Sequence, residues 1–273
     1  MRGARPERAL DAVVRNGAGL ARGMRLCVAC SGGPDSVALA SLLDRVARED
    51  DAEIVLAHVD HGVRASAGQD ECVTLSVGAR LERRVLIARP VVARRDEATL
   101  RAARYDALAQ LARDAGAGAI VTAHTAEDQT ETILLALFRG TGLAGLAGMA
   151  PRRPLAPGVD LVRPLLRVTR AELATELRRS GLPYAIDPSN ADRLYRRNAL
   201  RVHLAALRDD FPGLDRAVAR FGEILRDELD GTPRADARRV LRAQLRELGA
   251  SRDLSFAAIE AALSVGQRPT DER

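Results

Sequence analysis

The stretch RLCVACSGGPDSVALASLL (25–43) joins an apolar run, a glycine-rich turn and a helical pattern without interruption. Residues 25–30 are typical of a buried strand, and the apolar side chains after the turn recur at helical spacing. The glycine pair lets backbone N–H groups approach an anion, and Ser36 is predicted to cap the helix. Because a helix N-terminus favours negative charge, the turn is a candidate phosphate site. The alternative is an ordinary glycine-rich turn between a strand and a helix.

The acid inside this turn, Asp35, needs its own explanation. An acid and a phosphate repel each other unless a divalent cation lies between them, so Asp35 predicts Mg²⁺ bound together with a polyphosphate. The turn differs from the phosphate loop G-x-x-x-x-G-K-S/T, because the chain contains no lysine and all 42 of its Lys and Arg residues are arginine.

Strand-like and helical patterns alternate along the first half of the chain. This alternation predicts an α/β fold with a parallel, Rossmann-like sheet covered by helices, and ligands then bind beyond the carboxyl ends of the strands. After an N-terminal helix, strands are predicted at 25–30, 53–59, 84–92 and 119–124, and helices at 36–49, 67–82, 96–115 and 127–138.

Glycine and proline interrupt the alternation at 139–160, which is predicted to be a long loop. Later patterns are helical, and Pro212-Gly213 is predicted to be a joint. It divides the chain into a main domain and a small helical unit with little core of its own, residues 1–212 and 213–273.

The composition excludes several classes of protein. The 273 residues are 47% hydrophobic, enough for one large domain and a small one. No stretch approaches the about 20 apolar residues of a membrane span, and the first 19 residues lack the apolar core of a secretory signal. We therefore expect a cytoplasmic protein that does not associate with membranes. The formal net charge of +5 favours a nucleic acid or nucleotide partner.

Three cysteines are too few for a disulfide framework. Cys27 and Cys30 form a C-x-x-C pair, but residues three apart in a strand point to opposite faces of a sheet. A shared metal or redox site is therefore not expected.

Polar side chains recur at helical spacing after the fourth predicted strand. His124, Asp128, Glu131 and Thr132 are spaced i, i+4, i+7 and i+8, which predicts one face of a helix. Carboxylates there can hold an ammonium group, ligate Mg²⁺ or accept a proton. The alternative is an ordinary capped helix with acids in its first turns.

Several short blocks follow SGGPDS (31–36) along the chain. The blocks are HVDHGVR (58–64), RAARY (101–105), HTAEDQTET (124–132), FRGTGLAGLAGM (138–149), RPLL (163–166), DPSN (187–190) and RRNALR (196–201). In this combination they resemble the tRNA(Ile)-lysidine synthetases, a family within the N-type ATP pyrophosphatases, from about residue 24 to 220.

The resemblance implies an adenine nucleotide alpha hydrolase-like fold and a two-step reaction. ATP adenylates the ring carbonyl of the wobble cytidine in a tRNA(Ile) with a CAU anticodon, and the ε-amine of free lysine then displaces AMP to give lysidine. ATP, Mg²⁺, lysine and this tRNA are the implied ligands. The oligomeric state is left open, with a homodimer as one option. Alternatives are a tRNA thiolation enzyme, which typically needs additional cysteines, and a non-catalytic tRNA-binding relative.

The resemblance also implies roles for individual residues, with the helical unit 213–273 contacting the tRNA. Arg104, preferred over Arg101, is expected beside the leaving pyrophosphate, although either arginine is also typical of a solvated helix face. The implied catalytic residues are Asp35, Arg104, Asp128 and Glu131. The implied ATP-binding residues are Ser31, Gly32, Gly33, Pro34, Asp35, Ser36 and His58, with Asp35 also the metal ligand. Lysine or tRNA is expected at His124, Asp128, Glu131, Arg197, Asn198 and Arg201.

Replacing Cys27 by Ser and Cys30 by Ala together is expected to leave ATP-dependent pyrophosphate release largely unaltered, because neither thiol has an assigned chemical role. The packing loss should be about 1 kcal/mol in the free energy of unfolding. Activity and urea unfolding of the double variant measure the two effects. A well-folded but inactive variant would favour the thiolation or metal alternative.

Overall fold

The computed structural model describes residues 6–60, 67–92, 96–186, 196–247 and 259. Within these residues one six-stranded sheet is flanked by helices. The strands are β1 (Arg25–Ala29), β2 (Glu53–Val59), β3 (Val85–Ala88), β4 (Ala119–Val121), β5 (Arg152–Ala156) and β6 (Val159–Val162). The helices are α1 (Pro6–Ala18), α2 (Pro34–Glu49), α3 (Ala67–Leu81), α4 (Glu97–Asp114), α5 (Ala126–Phe138), α6 (Leu143–Leu146), α7 (Arg170–Ser180), α8 (Arg196–Asp210), α9 (Leu214–Asp230) and α10 (Pro233–Glu247).

The strand order is β3-β2-β1-β4-β6-β5, and every pairing is parallel except that of β5 with β6. The predicted α/β fold with a parallel sheet is therefore confirmed. The chain winds from β1 toward β3 on one side and from β4 toward β5 on the other. Ligands of open α/β sheets bind where the order switches in this way, and here that point lies between β1 and β4.

Apolar side chains cover both faces of the sheet. One cluster packs helices α1, α2 and α7 against the sheet, and the other packs α4 against the opposite face. Cys30 belongs to the first cluster and Cys27 to the second, which confirms that the two thiols point to opposite faces. Burial raises the pKa of Cys27 to about 12, so this thiol stays protonated at neutral pH.

The prediction of a long loop at 139–160 is wrong. This segment contains α6, β5 and the start of β6, and β5 is the antiparallel edge strand of the sheet. Pro154 lies in β5 at a register shift, a position where an edge strand tolerates proline. The strands β3 and β4 are also shorter than predicted, because the polar or proline-containing residues after them leave the sheet.

The glycine-rich turn closes differently from the prediction, since Ser36 is not the helix cap. Gly33 is the N-cap residue and Pro34 opens α2, where its missing N–H and fixed φ are tolerated. Ser36 lies in the first turn of α2, where its Oγ accepts a hydrogen bond from the Ser31 amide at 3.1 Å and donates one to the Gly33 carbonyl at 2.9 Å. The hydroxyl therefore holds the turn closed.

Helix α9 packs on α5 and α6. A Cβ atom at Gly222 would lie 2.8 Å from Cδ1 of Ile133 and 3.0 Å from the Ala147 carbonyl oxygen, so glycine permits the close approach. Arg226 donates to the carbonyls of Ala147 and Met149.

The boundary at 212/213 stays a prediction. Among the described residues, no helix is long and apolar enough to cross a membrane.

Replacing Gly32 by Ala should destabilise the turn far more than the same change at Gly33. Gly32 has φ +80°, and a Cβ atom there would lie 2.8 Å from the Asp70 carbonyl oxygen. Gly33 has φ −76°, with Ser31 Oγ at 3.5 Å as the nearest neighbour of its Cβ position. We expect Gly32→Ala to lower the free energy of unfolding by at least about 1–2 kcal/mol, measured by urea unfolding. Equal midpoints for the two variants would contradict this account.

Candidate active site

The turn at residues 31–36 lies at the carboxyl end of β1 and at the N-terminus of α2, as the sequence predicts. His58, near the end of the neighbouring β2, is buried beside it. Its Nδ1 lies 2.9 Å from the Cys30 carbonyl oxygen and 3.3 Å from Thr74 Oγ1. This ring nitrogen therefore contacts the backbone of Cys30, the residue just before the turn.

Helix α5 begins at the other side of the switch point with a capping box. Thr125 Oγ1 accepts from the Asp128 amide, and Asp128 Oδ2 accepts from the Thr125 amide at 3.0 Å. Because the helix starts after Thr125, the prediction that His124 belongs to its face is wrong. His124 precedes the cap, and its Nδ1 lies 2.9 Å from Thr122 Oγ1. Asp128 and Glu131 do lie on α5.

Arg170, the first residue of α7, joins the two sides of the site. Its Nε donates to Asp35 Oδ2 at 3.2 Å, and its Nη2 donates to Asp128 Oδ1 at 2.8 Å. Its backbone N–H donates to Glu127 Oε1 at 2.9 Å, and its Nη1 lies 4.0 Å from Glu131 Oε1. The neighbouring carboxylates raise the pKa of Arg170 against the opposing effect of burial.

Sequence reasoning missed Arg170, which lies outside the quoted blocks. One pattern was available, since Thr169 and Glu172 form a capping box that fixes the start of α7. An arginine at the first position of a helix opposes the helix dipole. That conflict is a reason to expect carboxylates nearby.

The side chain of Glu131 is fully buried and paired with arginines of α8. Arg201 donates through Nε at 2.7 Å and Nη2 at 3.1 Å to its two oxygens, a bidentate pair. Arg197 Nε lies 3.1 Å from Glu131 Oε2, while Arg197 Nη2 donates to Thr132 Oγ1 at 2.8 Å. Asn198 Oδ1 accepts from Arg201 Nη1 at 3.3 Å. The structure thus brings four of the predicted lysine and tRNA residues together as partners of one another: Glu131, Arg197, Asn198 and Arg201.

Asp35 and Asp128, the two carboxyls that Arg170 joins, have opposite pKa shifts. Burial raises the pKa of Asp35, the carboxylates of Asp128 and Glu127 add to the rise, and Arg170 opposes it. Burial also acts on Asp128, but Arg170 and the hydrogen bond from Thr125 outweigh it and hold the pKa of Asp128 below its ordinary value. Asp128 therefore stays ionised at neutral pH.

His124 is surrounded differently. Burial lowers the pKa of its imidazole, and the charges of Arg163, Arg104 and Arg101 lower it further, which outweighs the attraction of Asp128. The imidazole is therefore neutral at physiological pH. The charge of Arg104, an exposed residue of α4, thus acts on the His124 imidazole. Its role beside the leaving pyrophosphate stays a prediction.

The residues around Asp35 fit a magnesium ion bound together with phosphates. No group of three or more His, Cys, Asp or Glu side chains in the described part of the chain converges as a metal site by itself. Mg²⁺ usually takes only one or two carboxylates and completes its shell with phosphate and water. The carboxyl oxygens of Asp35 are suitable hard ligands, and burial, which raises the pKa of Asp35, leaves the ionised carboxyl in need of a nearby cation.

Comparison with known proteins assigns the chain to a family. A family model described as a PP-loop domain matches residues 4–207. A curated tRNA(Ile)-lysidine synthase of Methylobacterium sp. strain 4-46 is 39% identical over 265 residues, which cover 88% of this chain and 74% of that protein. The chain belongs to the tRNA(Ile)-lysidine synthase family of PP-loop proteins. The resemblance seen in the sequence is therefore confirmed.

Two other curated relatives named tRNA(Ile)-lysidine synthase are longer than the aligned region. The Gloeobacter violaceus protein is 42% identical over 214 residues, 76% of this chain and 64% of its own length. The Thermus thermophilus protein is 41% identical over 211 residues, 74% of this chain and 39% of its own length. The chain therefore spans between 39% and 74% of these three relatives.

A solved structure shares the fold. The U34-tRNA thiolase NcsA from Methanococcus maripaludis, with its 4Fe-4S cluster, superposes with a TM-score of 0.67 over 81% of this chain and 79% of that one. The sequence identity is 15%, so this likeness shows the fold alone.

Within the motifs, residues 61–64 and the block DPSN (187–190) lie outside the described residues.

The pair of Glu131 with Arg201 should be strongly coupled, because the carboxylate is fully buried. We expect Glu131→Gln to lower the free energy of unfolding by about 2–3 kcal/mol, since the facing guanidinium loses its partner. A double-mutant cycle with Arg201→Gln should give a coupling of at least about 1 kcal/mol, measured by urea unfolding.

The matched control is the exposed pair of Arg22 with Asp51, whose atoms lie 3.2 Å apart. Its cycle should give a coupling near zero, because solvent screens an exposed pair. Equal coupling in the two cycles would show that burial of Glu131 does not matter.

Proposed function

We propose that this protein uses ATP to ligate free lysine to the wobble cytidine of a tRNA(Ile) with a CAU anticodon. Membership of the tRNA(Ile)-lysidine synthase family supports the reaction. The observation that carries the proposal is the bridge by Arg170, which joins Asp35 of the glycine-rich turn to Asp128 of α5. A nucleotide at the turn and an amine at α5 would then share one edge of the sheet.

In the first step the ring carbonyl oxygen of the cytidine attacks the α-phosphorus of ATP, and the bond to pyrophosphate breaks. The turn, the N-terminus of α2 and His58 are the proposed ATP site. Asp35 would hold Mg²⁺, which would supply positive charge to the polyphosphate. Arg104 is proposed to stabilise the charge that develops on the leaving pyrophosphate.

In the second step the ε-amine of lysine attacks the adenylated ring carbon, AMP leaves with the oxygen, and the amine loses a proton. Asp128, ionised at neutral pH, is suited to hold the incoming ammonium group. Glu131 is the second proposed lysine residue, but Arg201 and Arg197 occupy it. Direct contact between Glu131 and lysine therefore requires these guanidinium groups to move.

The start of α8 is proposed to contact the anticodon loop through Arg197, Asn198 and Arg201. His124 is proposed as a further contact of lysine or tRNA. Guanidinium planes stack on unpaired bases and also pair with phosphates. The helical unit 213–273 is proposed as a further tRNA contact. The chain covers only part of the Gloeobacter and Thermus relatives, so selection of the tRNA is also proposed and not taken over from them.

Two other functions account less well for the site. Thiolation needs reactive sulfur, but Cys27 and Cys30 are buried on opposite faces of the sheet, and Cys72 is exposed on α3. A non-catalytic tRNA-binding relative has no need of the acids Asp35 and Asp128 at the switch point.

With ATP, Mg²⁺, lysine and transcribed tRNA(Ile), we expect a modified cytidine whose mass increases by that of lysine minus water. Asp35→Asn should lower pyrophosphate release at least about a hundredfold, because the proposed metal ligand is lost. The control Asp51→Asn changes an exposed acid elsewhere and should retain activity. Mass spectrometry of the nucleosides reads the product. A sulfur-containing nucleoside in a parallel reaction supplied with sulfide in place of lysine would favour thiolation, and unchanged tRNA in both reactions would favour the non-catalytic relative.

A further inference from the structure

Four side chains form a second basic feature at the sheet edge, which we call the arginine–tyrosine cluster: Tyr105, Arg101, Arg153 and Arg163. The guanidinium carbons of Arg101 and Arg153 lie 5.3 Å and 5.4 Å from the centre of the Tyr105 ring. The residues come from three separate elements, since Arg101 and Tyr105 lie on α4, Arg153 lies on β5 and Arg163 directly follows β6. The fold therefore gathers three positive charges around one phenol.

Arg163 is the buried member of this cluster. Only 4% of the residue is exposed, and its Nη1 donates to the Ala150 carbonyl at 2.8 Å. Its Nε is buried and has no hydrogen-bond partner among the residues that the structure describes. Arg163 also forms a side-chain hydrogen bond with Tyr105. A buried, unpaired donor on a charged group is costly, so the Nε atom alone lacks an acceptor, which a bound anion would provide.

Among the described residues, the cluster also lacks acidic partners. No ion pair joins Arg101, Arg153 or Arg163 to a carboxylate within the part of the chain that the structure describes. This contrasts with the site around Glu131, where guanidinium groups meet carboxylates directly.

The surrounding pKa shifts have the direction expected of a positive field. Burial lowers the pKa of Arg163, and Arg153 and Arg101 lower it further. The pKa of Tyr105 is also lowered, because the charges of Arg101, Arg163 and Arg104 outweigh the opposing effect of burial. The contributions of the neighbouring arginines to both shifts show that like positive charges lie close together here, and a bound anion would relieve their repulsion.

The cluster belongs to the ligand-binding edge of the sheet. Arg163 follows β6, which pairs with β4, and β4 pairs with β1. Two strand spacings therefore separate it from the glycine-rich turn, or about 10 Å. The charges of Arg163 and Arg101 reach His124, which lies just before α5.

We propose that the arginine–tyrosine cluster is a phosphate-binding site, in which Arg163, Arg101 and Arg153 hold the oxygens of one phosphate group beside the Tyr105 hydroxyl. Guanidinium groups match phosphate geometry with paired N–H donors. The identity of the phosphate rests on the proposed function, which supplies two sources: the backbone of the tRNA and the polyphosphate of ATP.

The test replaces the two accessible members together, Arg101→Gln with Arg153→Gln. The matched control is Arg113→Gln with Arg152→Gln, which removes the same charge from exposed positions of the same helix and strand. One arm titrates each protein with a tRNA(Ile) anticodon stem–loop at several salt concentrations. The other arm titrates each protein with inorganic pyrophosphate and Mg²⁺. Neither arm contains lysine or depends on turnover.

If the site holds an RNA phosphate, the cluster variant should bind the stem–loop about tenfold more weakly than the control. The slope of its log binding constant against log salt concentration should become shallower, which corresponds to about one to two fewer released counterions. Its pyrophosphate binding should be unchanged. Weaker pyrophosphate binding in the cluster variant would instead assign the site to the nucleotide. If both ligands bind the cluster variant and the control equally well, the proposal is wrong.

A second variant, Arg163→Lys, keeps the charge but removes the paired donors, and it should weaken the same ligand. If it does not fold, the accessible double variant still decides the proposal. Because binding is measured without reaction, a protein that binds as expected but forms no lysidine would overturn the proposed function and retain this site.

Discussion

The site depends on a single guanidinium group, that of Arg170. Asp35 and Asp128 come from helices α2 and α5, which begin beyond different strands, and both carboxylates would repel each other without a cation between them. Arg170 supplies that cation from the first residue of a third helix, α7. Its backbone N–H at the same time binds Glu127. One residue therefore connects the N-termini of three helices.

The charges of the site are balanced within the chain. Asp35, Asp128 and Glu131 face the guanidinium groups of Arg170, Arg197 and Arg201. An incoming cation such as a lysine ammonium group therefore competes with arginine for a carboxylate. The arginine–tyrosine cluster is the opposite case, since no acid among the described residues pairs with its positive charges, and it is suited to an anion.

Much of the fold could be predicted from the sequence because its determinants are local. Apolar runs and helical spacing located most elements, and the glycine-rich turn identified the ligand-binding edge. The region 139–160 could not be predicted in this way, because its strand β5 is stabilised by pairing with β6 and contains proline. Ser36 was misplaced because Pro34 starts the helix two residues earlier.

The candidate site was predicted less completely than the fold. Resemblance located the acids of α5 and the arginines of α8, and the structure brings them together. Their mutual pairing is tertiary, since Glu131 and Arg201 are 70 residues apart in the chain. Arg170 and Arg163 were not assigned roles for the same reason. Nothing in their local sequence shows which carboxylate or ring lies opposite.

The capping box of α5 has a consequence for binding. One oxygen of Asp128 closes the helix terminus through the Thr125 amide, and the other faces Arg170. Rotation of the carboxyl group would break one of these bonds, so its orientation is fixed when the protein folds. The conformational entropy of that side chain is lost once, during folding. A ligand that binds Asp128 then meets an acceptor whose direction is already set, and it does not have to order the side chain again.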